Sequence, residues 1–296
     1  MSPLDREQNR LLALGVLLDG PWSDATVETG ITIRQYRNAA LIHSPEGGTH
    51  LIQGILYSKW KEIGFTDAGY PLSDAIDCID GQGRFVSFIQ KDRPVFASIY
   101  FHPEFGVFHL RGAIRDKWYQ LSGERGPLGY PVSDETTSAT DERIRFNRFR
   151  RPGSGELDPY EGGTIMVTPE GGVHALHGPI HRKWTECGCE VGMGYPITDV
   201  ANCYDGVGNY THFRKGDGTE SSIFHSPATG AHAVLGPIRA KWAELDYEES
   251  ILGYPMSDEQ RTPSGSRLTR FENGIIEWSP EHGVQIEVTE PASRRE

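Results

Sequence analysis

The chain has 296 residues, with 29 basic against 41 acidic side chains and a formal net charge of −12. That excess of acid argues against a sequence-independent grip on nucleic acid or an anionic membrane, since both need a positive surface. Hydrophobic residues make up 37%, which excludes global disorder and suffices for a core without disulfides or metal; length alone suggests about two domains.

The first ten residues are polar, and the short apolar run from Leu11 to Leu18 does not have the form of a signal peptide. No segment approaches the ~20 apolar residues of a membrane span. The sequence as written reads as soluble and cytoplasmic, or as secreted if a leader has been removed. Four cysteines stand at 78, 187, 189 and 203. Cys187-Gly-Cys189 is too tight for the usual metal-ligating pair, so free and mostly buried thiols are expected. No cofactor and no metal site is expected.

From Gly54 onward the sequence repeats. Gly54-Ile-Leu-Tyr-Ser-Lys-Trp60 returns as Gly112-Ala-Ile-Arg-Asp-Lys-Trp118, Gly178-Pro-Ile-His-Arg-Lys-Trp184 and Gly236-Pro-Ile-Arg-Ala-Lys-Trp242. The tryptophans are 58, 66 and 58 residues apart. Leu56/Trp60/Ile63, Ile114/Trp118/Leu121, Ile180/Trp184/Cys187 and Ile238/Trp242/Leu245 stand at i, i+4 and i+7, which predicts four short helices with one apolar face. Pro179 and Pro237 suit the first helical turn. Each helix is then broken by Gly-Tyr-Pro at 69–71, 129–131, 194–196 and 253–255. A Ser-Asp or Thr-Asp pair follows, ending at Asp74, Asp134, Asp199 and Asp258, and is read as a local cap or turn.

Strand-like runs come next, with an aromatic at Tyr36, Phe88, Phe149, Phe213 and Phe271 and a Pro-x-x-Gly turn at 45–48, 103–106, 169–172, 227–230 and 280–283. Asp80-Gly81 and Asp205-Gly206 read as tight turns rather than calcium loops. Five second halves against four first halves place a degenerate first copy at Leu18-Asp-Gly-Pro-Trp-Ser-Asp24. The repeats are therefore 3–53, 54–111, 112–177, 178–235 and 236–288, followed by a frayed tail from Thr289. One helix and a few strands cannot bury their own apolar face, but stacked neighbours can. The expected fold is mainly β: one domain, 1–296, shaped as a five-bladed β-propeller-like ring with a short helix in each repeat.

These phrases resemble the LGFP repeat. Residues 236–288 match its unit most fully, and Ile251-Leu-Gly-Tyr-Pro-Met-Ser-Asp-Glu259 carries the name-giving motif with Tyr254 in the Phe position. The resemblance implies an association module with pseudo-fivefold symmetry. Such repeats occur in secreted actinobacterial and fungal proteins, often appended to mycoloyltransferases or peptidoglycan hydrolases, where they look like cell-wall binding modules.

Candidate ligand contacts fall where side chains could converge. His43, His50, His174, His225 and His232 occupy repeated positions, read first as structural, second as ligand contacts or a shared proton-transfer site, and last as metal ligands. His102, His109, His177 and His212 break the pattern. The helix tryptophans read as core, whereas Trp22 and Trp278 lie outside the stripe and are candidate stacking platforms. Arg145 and Arg148, with Arg143, Arg150 and Arg151, border an insertion near 149–163 and suggest an anion site or a solvated loop face. A second insertion, Gln90 to Tyr100, is a candidate lid. No nucleophile elbow, phosphate loop, dinucleotide fingerprint or zinc-protease motif is present. The expected function is binding of a carbohydrate or cell-wall-type glycan. The alternatives are a freestanding small-molecule enzyme, a cyclase or isomerase working in the ring's shaft, and a scaffold for a protein partner.

Overall fold

The computed structural model describes residues 1–20, 22–28, 30–90, 95–153, 162–170 and 172–289. Within them the chain is mainly β, in antiparallel sheets separated by short helices. The four expected helices are Gly54–Ile63, Gly112–Gln120, Gly178–Glu186 and Gly236–Ala243. Their stripes are buried: Leu56, Trp60, Ile114, Trp118, Ile180, Trp184, Ile238 and Trp242 all lie inside. Three of the indoles also donate to the glycine carbonyl of the Gly-Tyr-Pro that follows. These bonds are Trp60 to Gly69 at 3.1 Å, Trp118 to Gly129 at 2.9 Å and Trp184 to Gly194 at 3.0 Å. The indole N–H satisfies a buried backbone carbonyl in the segment that follows the helix.

The glycine of that motif is required twice over. Gly129 has φ 74° and Gly194 φ 92°, and an added Cβ would sit 2.2 Å from the Arg150 carbonyl oxygen and 2.4 Å from that of Arg214. The Tyr-Pro that follows pairs with the first long strand of its sheet, as in Tyr70 opposite Ile89 and Tyr195 opposite Arg214.

Two compact units are present: Met1–Thr136 with Asn147–Gly153, and Thr137–Phe146 with Ser154–Glu296. The division falls within the third repeat. In the first unit, strands Ser23–Glu28, Ile31–Gln35, Ala39–Ser44 and Gly48–Gln53 form one meander, and Arg84–Ile89, Phe96–His102 and Gly106–Arg111 form the body of the next. In the second, Asn209–Arg214, Glu220–Ser226 and Gly230–Leu235 build one sheet, and Gln260–Arg261, Arg267–Phe271, Gly274–Ser279 and Gly283–Val288 another. Each helix packs between its own sheet and the one before. Ile31, Ile42 and Ile52 of the first sheet meet Leu56 and Trp60 of the helix and Val86, Phe88 and Ile99 of the second sheet in one core. Phe224 and Val234 meet Ile238 and Trp242 and then Phe271 and Ile276 in the same way. A repeat thus buries its apolar face only by having a neighbour.

The Ser-Asp pair does more than cap a local turn. Each carboxylate reaches back to the last strand of the preceding repeat. Asp74 accepts the N–H of Leu51, Asp134 that of His109, Asp199 that of Ala175 and Asp258 that of Ala233, all at 2.8–2.9 Å. The hydroxyl beside it does the local work, as Ser133 accepts from Arg148, Thr198 from His212 and Ser257 from Arg270. A second tie joins the same pairs of repeats. Tyr130 donates to Asp80 and Tyr254 to Asp205, while each Asp also accepts two N–H bonds inside its Asp-Gly-x-Gly turn. Gly83 and Gly208 close these turns, and a Cβ there would lie 2.6 Å and 2.5 Å from the tyrosine oxygens.

Several expectations change. The polar N-terminus is a helix, Pro3–Ala13, opened by a capping box between Ser2 and Asp5. Leu4 and Leu11 pack on Tyr36, Leu41 and Leu51. The Ser-Asp of the degenerate first copy lies in strand Ser23–Glu28, where Asp24 takes both Nε and Nη2 of Arg34 at 2.7 Å. The lid is replaced by sheet: Phe96–His102 is a strand paired on both sides, and 91–94 lie outside the described residues. Residues 154–161 of the insertion near 149–163, and the tail from 290, also lie outside them. The four cysteines are free. Among the described residues no helix is long and apolar enough to cross a membrane.

Candidate functional site

The repeated histidines are tied into the repeat junctions. His50 Nε2 meets the Gly47 carbonyl at 2.6 Å and His232 Nε2 the Thr229 carbonyl at 2.8 Å. Their Nδ1 atoms, with that of His174, face Asp74, Asp258 and Asp199 at 3.4, 3.6 and 3.9 Å. The imidazole therefore spans the turn and the junction carboxylate. His43 meets the Thr49 hydroxyl across its hairpin at 2.9 Å, and His225 is lowered in pKa by burial. Among the described residues no three His, Cys, Asp or Glu side chains gather as metal ligands.

The histidines outside the pattern are also placed by packing. His102 stands where other repeats have Ser44, Ser226 and Ser279, whose hydroxyls accept a turn N–H. Its Nδ1 accepts the N–H of Glu104 at 3.2 Å, and its buried ring lies 4.5 Å from that of Tyr130. His109 is buried and pushed down to about 4 by desolvation. His177 lies at the N-terminus of helix Gly178–Glu186, its pKa also lowered by burial. Trp22 carries the Arg34 guanidinium 3.9 Å from its ring, and Trp278 that of Arg267 at 4.4 Å. Arg143 is paired with Asp141, and Arg145, Arg148, Arg150 and Arg151 all have partners. Arg143 and Arg145 belong to the second unit and the other three to the first.

His212 is different because it faces a recess. Asn202, Tyr204, Tyr210, His212, Phe224, Asp246, Tyr247, Glu248 and Glu249 line a hollow of about 260 Å³ in the second unit. Sheet residues Tyr210 and Phe224 stack at 5.2 Å and form its floor. Tyr247 lies over Phe224 at 5.5 Å and beside His212 at 5.3 Å. His212 Nδ1 meets the Ser222 hydroxyl at 2.7 Å. Burial, then the nearby Arg239, pushes the ring down to about 4, so it is neutral at pH 7. Arg239 itself is held by Glu220 at 2.7 Å and by Ser222. At the mouth, Tyr204 is 85% exposed, and its N–H is pinned by Glu248 at 3.1 Å.

The backbone that presents Tyr247 is strained. Asp246 and Tyr247 have φ 69° and 53°, a left-handed pair without a glycine. The third repeat makes the same double turn with Ser122 and Gly123. There the aromatic comes from the helix instead: Tyr119 packs on Trp118 at 5.1 Å and bonds Tyr100 through the hydroxyls at 2.7 Å. Repeat five has Ala243 at that helical position and moves the ring to 247, where it meets Trp242 at 5.3 Å. A tyrosine in the left-handed region costs of order 1 kcal/mol, and it persists where packing holds it, commonly at a site of function.

A larger hollow, about 510 Å³, lies in the first unit between Gln53, Ile55, Asp74, Arg84 and Phe101. It has one aromatic ring and both signs of charge, and Asp74 is already engaged with Leu51 and His50. Size alone does not make it the better site, because recognition needs convergent polar groups beside an aromatic or apolar surface. Sequence reading identified His212 but missed Tyr204, Tyr210, Asp246, Tyr247, Glu248 and Glu249. The available signal was Tyr247 standing in a column that holds Gly123 in the third repeat and Cys189 in the fourth.

No curated protein matches the chain. Among solved structures, hydrazine synthase of Kuenenia stuttgartiensis aligns at 9% identity over 92% of this chain and 66% of its own, with a TM-score of 0.14. A gluconolactonase from Xanthomonas campestris aligns at 9% identity over 92% and 77%, with a TM-score of 0.14. A mutant of AofleA from Arthrobotrys oligospora aligns at 11% identity over 92% and 71%, with a TM-score of 0.15. At these scores none of the three bears on fold or function. The LGFP repeat pattern matches residues 69–126, 128–192, 193–250 and 252–291 in succession, and the chain belongs to the LGFP repeat family.

Proposed function

We propose that this LGFP repeat protein binds carbohydrate, and that the recess in the second unit receives a sugar ring. The observation that carries the reading is the exposed Tyr204 ring set at the mouth of an aromatic hollow beside Asn202, Asp246, Glu248 and Glu249. The C–H face of a pyranose is apolar and stacks on such a ring, and its hydroxyls donate to carboxylates and amides around it. The acidic rim disfavours anionic sugars, so neutral or cationic glycans of the cell-wall type fit best. We infer a five-bladed ring from the repeat count alone, since each repeat needs a neighbour to bury its apolar face. The partner is then a glycan rather than nucleic acid or membrane.

The test is calorimetric titration with a panel of neutral and amine-bearing oligosaccharides, with and without Tyr204→Ala. Tyr204 is exposed, so its loss leaves the fold intact. A sugar should bind the parent chain about fivefold more tightly than the variant, since one stacked ring contributes about 1 kcal/mol. Equal affinity of parent and variant for every sugar would remove this site from the account.

A further inference from the structure

We infer that the sugar favoured by this recess carries a free, protonated amine; the inference rests on the carbohydrate reading above. The recess is lined by Asp246, Glu248 and Glu249, and neither lysine nor arginine lines it. Its one basic ring, His212, is neutral at pH 7. The nearby cation, Arg239, lies 5.6 Å from the Tyr247 ring and is neutralised by Glu220. An ammonium group entering the hollow therefore meets carboxylates and the faces of tyrosines, both of which attract it.

The charge is particular to this recess. The corresponding loop of the third repeat reads Ser122-Gly123-Glu124-Arg125, with no net charge, and that of the fourth reads Gly188-Cys189-Glu190-Val191, with one negative charge. The fifth reads Asp246-Tyr247-Glu248-Glu249, with three negative charges. The repeat scaffold does not require them, since the same turn forms without them. They accumulate where the aromatic ring has been moved to face the hollow, and the two departures together describe a seat for a ring bearing a positive charge.

The probes are a glucosamine tetramer, its fully N-acetylated twin and tetralysine, titrated into the whole protein at low salt. The glucosamine tetramer should bind about tenfold more tightly than the acetylated one, and 0.5 M sodium chloride should shrink that margin to under threefold. Asp246→Asn combined with Glu249→Gln should abolish the margin by weakening the glucosamine tetramer more than the acetylated one. Asparagine suits a left-handed residue, so this pair removes charge and little else. Equal affinity for both tetramers overturns the inference while the carbohydrate reading stands. Binding of neither tetramer overturns both. Tetralysine binding as tightly as the glucosamine tetramer identifies a basic peptide as the ligand and overturns the inference.

Discussion

Replacing Asp134 by alanine should lower the free energy of unfolding by about 3 kcal/mol. Its Oδ1 accepts the His109 N–H at 2.8 Å, and its Oδ2 accepts the Lys59 ammonium at 2.5 Å. Lys59 is only 6% exposed, so the ammonium has given up most of its water. Its other partner, Glu62, is 69% exposed and screened by solvent. Without Asp134 a nearly buried cation keeps one weak partner, and a strand N–H loses its acceptor. Breaking such a pair costs ~3–5 kcal/mol, and the partial exposure of Asp134 places the expectation at the lower end. Lys59→Met in the same chain removes the stranded charge and should recover more than half of the loss. Urea unfolding of parent, single and double variants measures this. A loss under about 1 kcal/mol for Asp134→Ala would show that the repeats hold together without the carboxylate staple.

Stability should also fall as pH drops from 6.5 to 4. His109 is 7% exposed, and desolvation pushes its folded pKa down to about 4. The unfolded chain takes up a proton near pH 6.5 while the folded one does not, so unfolding is favoured increasingly as pH falls between the two values. Stability from this residue is whole above pH 6.5 and gone at about pH 4, a change of up to about 3 kcal/mol. His212 in the second unit, also pushed to about 4, works in the same direction. Asp258, held near 2 by the His232 imidazole, the Ala233 N–H and Lys183 against its own desolvation, adds a loss below pH 4. His109 offers a clean variant because the same column holds Leu51, Ala175, Ala233 and Ile286. His109→Leu should flatten the pH 6.5–4 limb measured by urea unfolding at each pH. An unchanged slope in that variant would show that His109 is not the group responsible.

The repeat was legible because its packing repeats. The Leu/Ile-x-x-x-Trp stripe, the helix-breaking Gly-Tyr-Pro and the turn glycines are each fixed by local chemistry, and they appear in sequence as columns. The staple was only half legible. Asp134 is visible as a repeated residue, but its bond to Lys59, 75 residues earlier, depends on how one repeat's helix meets the next repeat's loop. The N-terminal helix was hidden by its polarity. It buries only Leu4 and Leu11 and is anchored by Arg34, which reaches Asp5, Gln8 and Asp24 from a strand. The histidines drew attention as versatile groups, yet His50, His102 and His232 are occupied by turns and junctions. The recess escaped notice because it joins strand and turn residues between 202 and 224 to loop residues 246–249. Its plainest mark, a tyrosine in a left-handed backbone, is a conformation rather than a residue type.

Repeat five carries alanine at 243 and tyrosine at 247, where repeat three has Tyr119 and Gly123. Ala243→Tyr with Tyr247→Gly restores the third repeat's arrangement, with the ring on the helix and glycine in the left-handed turn. The relief of strain, about 1 kcal/mol, offsets imperfect repacking, so the melting temperature should stay within a few degrees of the parent. Titration of this double variant with the best-binding oligosaccharide is the decisive measurement. The double variant should fold and bind that sugar at least tenfold more weakly. A folded variant that binds the sugar as tightly as the parent would contradict the proposed site.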